Sequence, residues 1–419
     1  SAELARRLEA DRVAIERAFG AGVPLGRVVS LEPGLSDRHR GGRTVVRLTF
    51  ESGARVLHKP RSLEPERAFY GFLDWLDEGL DDEAFRPVVL PRAGYGWMED
   101  VAPRPCRDAA EGRRFYRRAG RLLAALRHVA ATDIHAGNVI ASGGHPVPID
   151  LETLLQPRAR DREGEEPLLR VGVLPSWKMG LDGRRYDVGA LTGAAAKGGW
   201  PRVWQDNRIG TDAMEISLEY RSAPGTEHLP VLDGAPLRAV DHGAEIEAGY
   251  AAAHRRLAGH RRALASPDGI LGALRDLRFR VLPRPTLVYA AACHTALDPA
   301  LLRDDSERAA AIERFLLDGP AGGGLLPGER EAIERMDVPL FHARADGLDL
   351  ETEGGGMVGG RFAESGLAVA RAALEELDDR GLERSLALVR STLALAAVSS
   401  AIPAARSGDR PFPIPGSPP

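Results

Sequence analysis

Apolar positions in the first hundred residues change period several times. Over residues 4–19 they recur at helical spacing, with Leu4, Leu8, Ile15 and Phe19 on one side and charged residues between, which predicts an amphipathic helix stopped by Gly20-Ala21-Gly22. Runs rich in β-branched residues then predict strands over 27–31, 43–50 and 55–59, the last two paired across the turn Glu51-Ser52-Gly53. Pro60 ends the third strand, and residues 63–76 read as a helix with Glu64 and Glu66 in its first turn, where acids suit the dipole. Short strands follow over 87–90 and 94–100. Beyond residue 109 the period is mostly helical. Residues 109–129 carry Phe115, Ala119, Leu122, Leu123 and Leu126 on one face, and further helices are expected over 244–265, 306–317, 362–377 and 382–398. The pattern is therefore α+β: a strand-rich N-lobe (1–103), a helical C-lobe (104–402) and a proline-rich, disordered tail (403–419).

Composition narrows the function. In 419 residues the net charge is -4, which gives no global basic field for nucleic acid. Cys106 and Cys293 are too few for a disulfide framework or a multi-cysteine zinc site, and they suit a cytoplasmic protein with reduced thiols. No apolar run reaches the roughly 18 to 20 residues of a membrane span, and the N-terminus lacks the apolar core of a signal peptide. The glycine runs at 354–356 and 359–360 lack the strand, lysine and helix context of a phosphate loop and read as plain loops.

Four clusters concentrate chemistry-bearing groups. Ser36-Asp37-Arg38-His39-Arg40-Gly41-Gly42-Arg43 precedes a strand, and the Gly41-Gly42 pair suits either a hairpin turn or backbone N–H groups directed at phosphate. Lys59, in Leu57-His58-Lys59-Pro60-Arg61-Ser62, ends a strand where a kinase-like fold puts its phosphate-binding cation, although such a lysine also suits plain solvent exposure. The third cluster, over 131–155, holds Asp133, His135 and Asn138, then a predicted hairpin, then Asp150 and Glu152. Kinase-like sites present a base and two magnesium ligands in this arrangement: Asp133 is placed to accept a hydroxyl proton, and Asn138 and Asp150 offer hard oxygens. His135 suits orienting Asp133 or filling the core. The fourth cluster, Arg278, Arg280 and Arg284 ahead of Thr286 and Tyr289, suits phosphate binding or a solvated basic face.

Taken in order, these clusters resemble the dehydratase domain of class II lanthipeptide synthetases. The likeness runs through S-D-R-H-R-G-G-R-T-V, F-E-S-G-A-R-V-L-H-K-P-R-S-L, Y-G-W-M-E-D, T-D-I-H-A-G-N-V-I-A-S-G-G-H-P-V-P-I-D-L-E-T-L, V-G-V-L-P-S-W, R-V-L-P-R-P-T-L-V-Y and D-V-P-L-F. The resemblance implies a bilobed, lipid-kinase-type fold. It also implies an enzyme that phosphorylates Ser or Thr of a ribosomally made precursor peptide with ATP and Mg2+, then eliminates the phosphate to give dehydroalanine or dehydrobutyrine. In that scheme Lys59 holds the nucleotide phosphates with Gly41, Gly42 and Glu152 nearby. Asp133 is the phosphorylation base, and Asn138 and Asp150 bind magnesium. Asp37, His39, His135, Arg280 and Thr286 serve the site and its elimination step. Lys59 and His135 are both candidates to take the α-proton. Only residues 1–34 precede L-S-D-R-H, less than the family usually carries, and no zinc cyclase is expected; both suit a stand-alone or shortened form working with a separate cyclase. His58 replaces an aromatic residue common in the lysine motif. The competing expectations are a kinase that stops at the phosphate, a catalytically silent peptide-binding partner, and a small-molecule phosphotransferase.

Overall fold

The computed structural model describes residues 2–81, 83–160, 164, 166–179, 185–192, 202–207, 211–213, 215–220, 226–318 and 324–401; the expected tail over 403–419 lies outside them. Contacts within the chain are densest inside two compact units. One comprises Ser1–Val101, Glu152–Asp161 and Ser266–Ala368, the other Ala102–Leu151, Arg162–Ala265 and Val369–Pro419. The expected junction at 103 falls beside the first of these boundaries, and the chain crosses between units four more times.

The first unit is built on the predicted strands. β1 (Val28–Glu32), β2 (Val46–Phe50), β3 (Arg55–Lys59), β4 (Val89–Arg92) and β5 (Tyr95–Glu99) form an antiparallel sheet in the order β1-β2-β3-β5-β4. Helix α1 (Ala2–Phe19) lays Leu4 and Ile15 on a core of Leu25, Leu48, Phe50, Val56 and Trp97. Its Asp11, also buried, accepts hydrogen bonds from Arg92 Nε (2.6 Å), Tyr95 OH (2.8 Å) and Trp97 Nε1 (2.8 Å), so the helix is pinned by polar as well as apolar contacts. Helix α2 (Glu64–Asp77) leaves β3 after Pro60 and carries Pro65 in its first turn, where no intrahelical N–H bond is lost.

The same unit contains a second sheet that the helical reading of the later chain did not anticipate. Strands Arg278–Val281, Phe341–Arg344, Leu350–Thr352 and Met357–Val358 pair antiparallel in that order. Their inner face joins helices Thr286–Thr295 and Asp305–Asp318 in a core of Val281, Tyr289, Ile312, Leu316 and Phe341. The helix expected from residue 362 instead begins at Gly366. Phe362–Glu364 is a strand against Arg158–Ala159, so Phe362 packs as a strand residue although its spacing also fits a helix.

The second unit is organised on helix α3 (Ala109–His128) and the helix Gly243–Gly259. Asp108 caps α3, accepting from Glu111 N at 2.7 Å, while the Glu111 carboxylate accepts from Arg107 N at 2.6 Å. The helix expected over 244–265 breaks at His260, with a separate turn at Arg261–Leu264. The two long helices touch backbone to backbone: a Cβ at Gly120 would stand 2.0 Å from Ile246 O, and one at Gly249 would stand 1.9 Å from Arg117 O. Gly120→Ala therefore forces the helices apart and is expected to cost about 2 to 3 kcal/mol by overpacking, read as a lowered denaturation midpoint. Against α3 lies the hairpin of β6 (Val139–Ser142) and β7 (His145–Pro148), whose turn is tied down by Arg118 Nη1 donating to Gly144 O at 2.8 Å.

Among the described residues no helix is long and apolar enough to cross a membrane. Neither cysteine forms a disulfide, and burial raises both thiols, Cys106 to about 11 and Cys293 to about 12.

Candidate functional site

In the second unit, Asp133 begins a tight loop ahead of β6. Its φ is +62°, a left-handed conformation that aspartate tolerates better than most residues and that loops retain where a side chain must be aimed. Three backbone contacts fix the loop: Ile134 N to Val171 O (2.9 Å), Ala136 N to Val188 O (2.9 Å) and Asn138 N to His135 O (2.9 Å). His135 caps the short 3-10 turn Ala136–Asn138, its Nδ1 accepting from Gly137 N at 3.0 Å. That bond leaves Nε2 as the protonated nitrogen of the neutral ring, 4.0 Å from Asp133 Oδ2. The arrangement suits orienting the carboxylate.

Asn138 donates its Nδ2 to Asp133 O at 2.8 Å, so the amide oxygen is directed away from that contact. Val139 pairs with Pro148 in the hairpin, and Ile149 N donates to Asn138 O at 2.9 Å. The open end of the hairpin thus carries Asn138 on one strand and Asp150 just beyond the other. An amide oxygen and a carboxylate are hard donors of the kind Mg2+ takes in sites completed by water and phosphate oxygens, so the pair fits that ion. Among the described residues no three His, Cys, Asp or Glu side chains group as a metal cage.

In the first unit, Lys59 ends β3 opposite Gly96 and is buried, not solvated. Its Nζ lies 3.9 Å from Oε1 of Glu66, an entirely buried carboxylate on the first turn of α2. Arg61 Nη2 reaches the same oxygen at 2.5 Å, and Arg61 Nε reaches Glu152 Oε2 at 3.1 Å. The other Glu152 oxygen accepts from Arg280 Nη1 at 2.7 Å, and Arg280 N donates to Glu152 O at 2.8 Å. Lys59, Glu66, Arg61, Glu152 and Arg280 form one alternating row of charges. Glu66 was legible from sequence only as a first-turn acid. Its signal was the spacing Lys59-x-Arg61 ahead of a helix carrying a glutamate on its inner face.

Of the three arginines in the fourth cluster, only Arg280 joins this row. Arg284 is buried on Glu329, with Nε to Oε1 at 2.8 Å, and Tyr289 OH donates to the same carboxylate at 2.7 Å, so it braces the core. Arg278 is exposed and pairs with Glu351 at 3.1 Å. Thr286 is the first residue of the helix Thr286–Thr295 and is half-buried.

The loop bearing Asp37 and His39 is fastened from below. Gly41 N and Gly42 N, suited by sequence to phosphate, donate to the two oxygens of buried Asp337 at 2.6 Å and 2.9 Å. A carboxylate sits in a nest of N–H groups that also accommodates anions from solution, so these two amides serve to seat the loop. Val338 N donates to Arg38 O (2.8 Å), and His39 Nδ1 donates to Val338 O at 2.7 Å. Asp37 is exposed beside His39. Burial and the nearby Arg280 charge hold His39 below its usual pKa.

Sequence reading passed over His342. It lies across from Arg280 on the neighbouring strand, and burial, then Arg40, push its pKa down to about 4. His58, buried beneath Arg7, is likewise lowered to about 4, by burial first and Arg7 second. A histidine held neutral in the fold stays unprotonated while the unfolded chain takes up its proton near 6.5. Stability of the first unit is therefore expected to fall as pH drops from 6.5 to 4, where His58→Gln should flatten a plot of melting temperature against pH.

These two constellations sit in a chain that belongs to the DUF4135 family (Domain of unknown function), whose model matches residues 1–344. The chain is also similar to the lacticin 481/lactococcin biosynthesis protein LcnDR2 of Lactococcus lactis subsp. lactis, with 24% identity over 345 residues and 74% of this chain covered. It spans about a third (35%) of the length of that relative. The match agrees with the relationship to lanthipeptide synthetases carried by the motifs.

Proposed function

We propose that this chain is a peptide Ser/Thr dehydratase of lanthipeptide maturation, phosphorylating a precursor peptide with ATP and then eliminating the phosphate. The observation that carries the reading is the row Lys59–Glu66–Arg61–Glu152–Arg280. It couples a buried lysine, paired with a helix glutamate as in protein kinases, to an arginine suited to a departing phosphate. The sheet order β1-β2-β3-β5-β4, with α2 between β3 and β4, supports a kinase-like N-lobe. The similarity to a lacticin biosynthesis protein supports a precursor peptide as substrate.

In this reading Asp133 accepts the proton of the substrate hydroxyl as its oxygen attacks the γ-phosphorus of ATP and ADP departs. His135 Nε2–H orients that carboxylate. Asn138 and Asp150 would hold Mg2+, which supplies charge neutralisation for the transferring phosphoryl group. Lys59, held in place beside Glu66, binds the nucleotide phosphates. In the second half-reaction a base removes the α-proton of the phosphorylated residue. The C–H electron pair becomes the new C=C bond, the Cβ–O bond breaks, and phosphate leaves toward Arg280. Lys59 and His135 remain the two candidates for that base.

The test is to incubate the protein with ATP, Mg2+ and a Ser/Thr-rich precursor peptide and follow peptide mass. Loss of one water per modified residue is expected. A stable gain of phosphate would favour a kinase without elimination, and no ATP-dependent change would favour a silent peptide-binding role.

A further inference from the structure

The strand pair that carries Arg280 holds a second set of groups outside the roles given above. His342 pairs with Arg280 on one side and with Glu351 on the other, so the three side chains share one face of the sheet. His342 is half-buried, and its ring makes no hydrogen bond among the described residues. Arg40 comes from the loop seated on Asp337, with φ +50°, and its charge is the strongest felt by the His342 ring. Its guanidinium has no carboxylate partner among the described residues. The charged groups facing His342 are Arg40, Arg278 and Arg280, opposed by Glu152 and Glu351. Both acids are already engaged, Glu351 by Arg278 and Glu152 by Arg61 and Arg280. Among the described residues positive charge is in surplus here, and it surrounds an imidazole able to offer an N–H.

We propose that Arg40 and His342 complete, with Arg280, a binding subsite for a tetrahedral phosphate group, the one carried by the phosphorylated Ser or Thr. The proposal rests on the dehydratase reading for the source of that phosphate, and it assigns two residues that reading leaves unused. Arg40 supplies a cation that no acid engages among the described residues, and His342 donates N–H to a second phosphate oxygen. Arg280, across the strand pair from His342, adds a third positive charge on the same face. When the Cβ–O bond breaks, its electron pair stays on phosphate, and these three groups hold the dianion while the α-proton goes to the base.

The same chemistry would suit the terminal phosphate of ATP, so the test has two arms. Binding of inorganic phosphate and of a magnesium complex of a non-hydrolysable ATP analogue is measured by calorimetry on the full chain. Arg40→Ala and His342→Ala are expected to weaken phosphate binding about tenfold or more and to leave the analogue unchanged. Arg40→Lys and His342→Gln, which keep a charge or a donor, are expected to retain most of the affinity. Unchanged phosphate binding in both alanine variants overturns the subsite, and so does an equal loss of analogue binding, which would return these residues to the nucleotide. If His342→Ala does not fold, Arg40→Ala and Arg40→Glu carry the test. Phosphate binding that depends on Arg40 and His342 in a protein that makes no ATP-dependent change to peptide would sink the dehydratase reading and leave the subsite standing. Dehydration by a protein whose phosphate binding ignores both residues would do the reverse.

Discussion

Asp133→Asn is expected to stop phosphorylation while leaving the fold intact. Removing a positioned general base typically costs about 10² to 10⁴ in rate. Asparagine is the informative substitution because residue 133 sits at φ +62°, a conformation that asparagine adopts about as readily as aspartate. Its backbone carbonyl can still accept from Asn138 Nδ2, the 2.8 Å contact that sets the next turn. The loss would then report the proton acceptor and not a collapsed loop. A synthetic phosphopeptide, which bypasses this step, should still lose its phosphate in the variant. Mass measurement on both peptides separates the outcomes, and normal phosphorylation by Asp133→Asn would remove Asp133 from its assigned role.

Arg280→Ala is expected to produce the mirror image: phosphorylation continues and phosphopeptide accumulates. Losing one preorganised group at a developing charge costs about 10² to 10³ in rate. The fold should survive because Glu152 keeps Arg61 at 3.1 Å when Arg280 is gone. Arg280→Lys keeps the charge without the planar fork, so it should recover only part of the elimination rate. Complete dehydration by Arg280→Ala would dissociate Arg280 from phosphate departure. A parallel loss of phosphorylation would mean that the charge row from Lys59 to Arg280 works as a unit in the first step as well.

How much of this was legible in the sequence depended on distance along the chain. α1, α2 and α3 were read within a few residues because each repeats its apolar face over several turns. β2 and β3 were marked by Val46, Leu48, Val56 and Leu57, with a short turn between them. The second sheet escaped because Leu350–Thr352 has 3 residues and Met357–Val358 has 2, too short for period two to stand apart from helical spacing. The site divides in the same way. Asp133, His135, Asn138 and Asp150 surround one hairpin, so local spacing exposed them. Glu66, Asp337 and His342 take their meaning from partners that only the folded chain supplies. A histidine in Phe341-His342-Ala343-Arg344 carries no sign that Arg280 lies across from it. Nor does the pair Gly41-Gly42 show that its N–H groups are filled by a carboxylate of the same chain.

That carboxylate has a consequence for the order in which the protein is made. Asp337 is 296 residues downstream of Gly41. On a ribosome adding about 5 to 20 residues per second, roughly 15 to 60 s pass between synthesis of the loop and synthesis of its anchor. During that interval the nascent chain already contains Asp133, while His39 and Arg40 have no seat. Translation thus imposes a sequence on assembly, with the loop seated on Asp337 among the last parts to be set. The loop would gain its anchor only once residues 266–368 have emerged and closed the first unit.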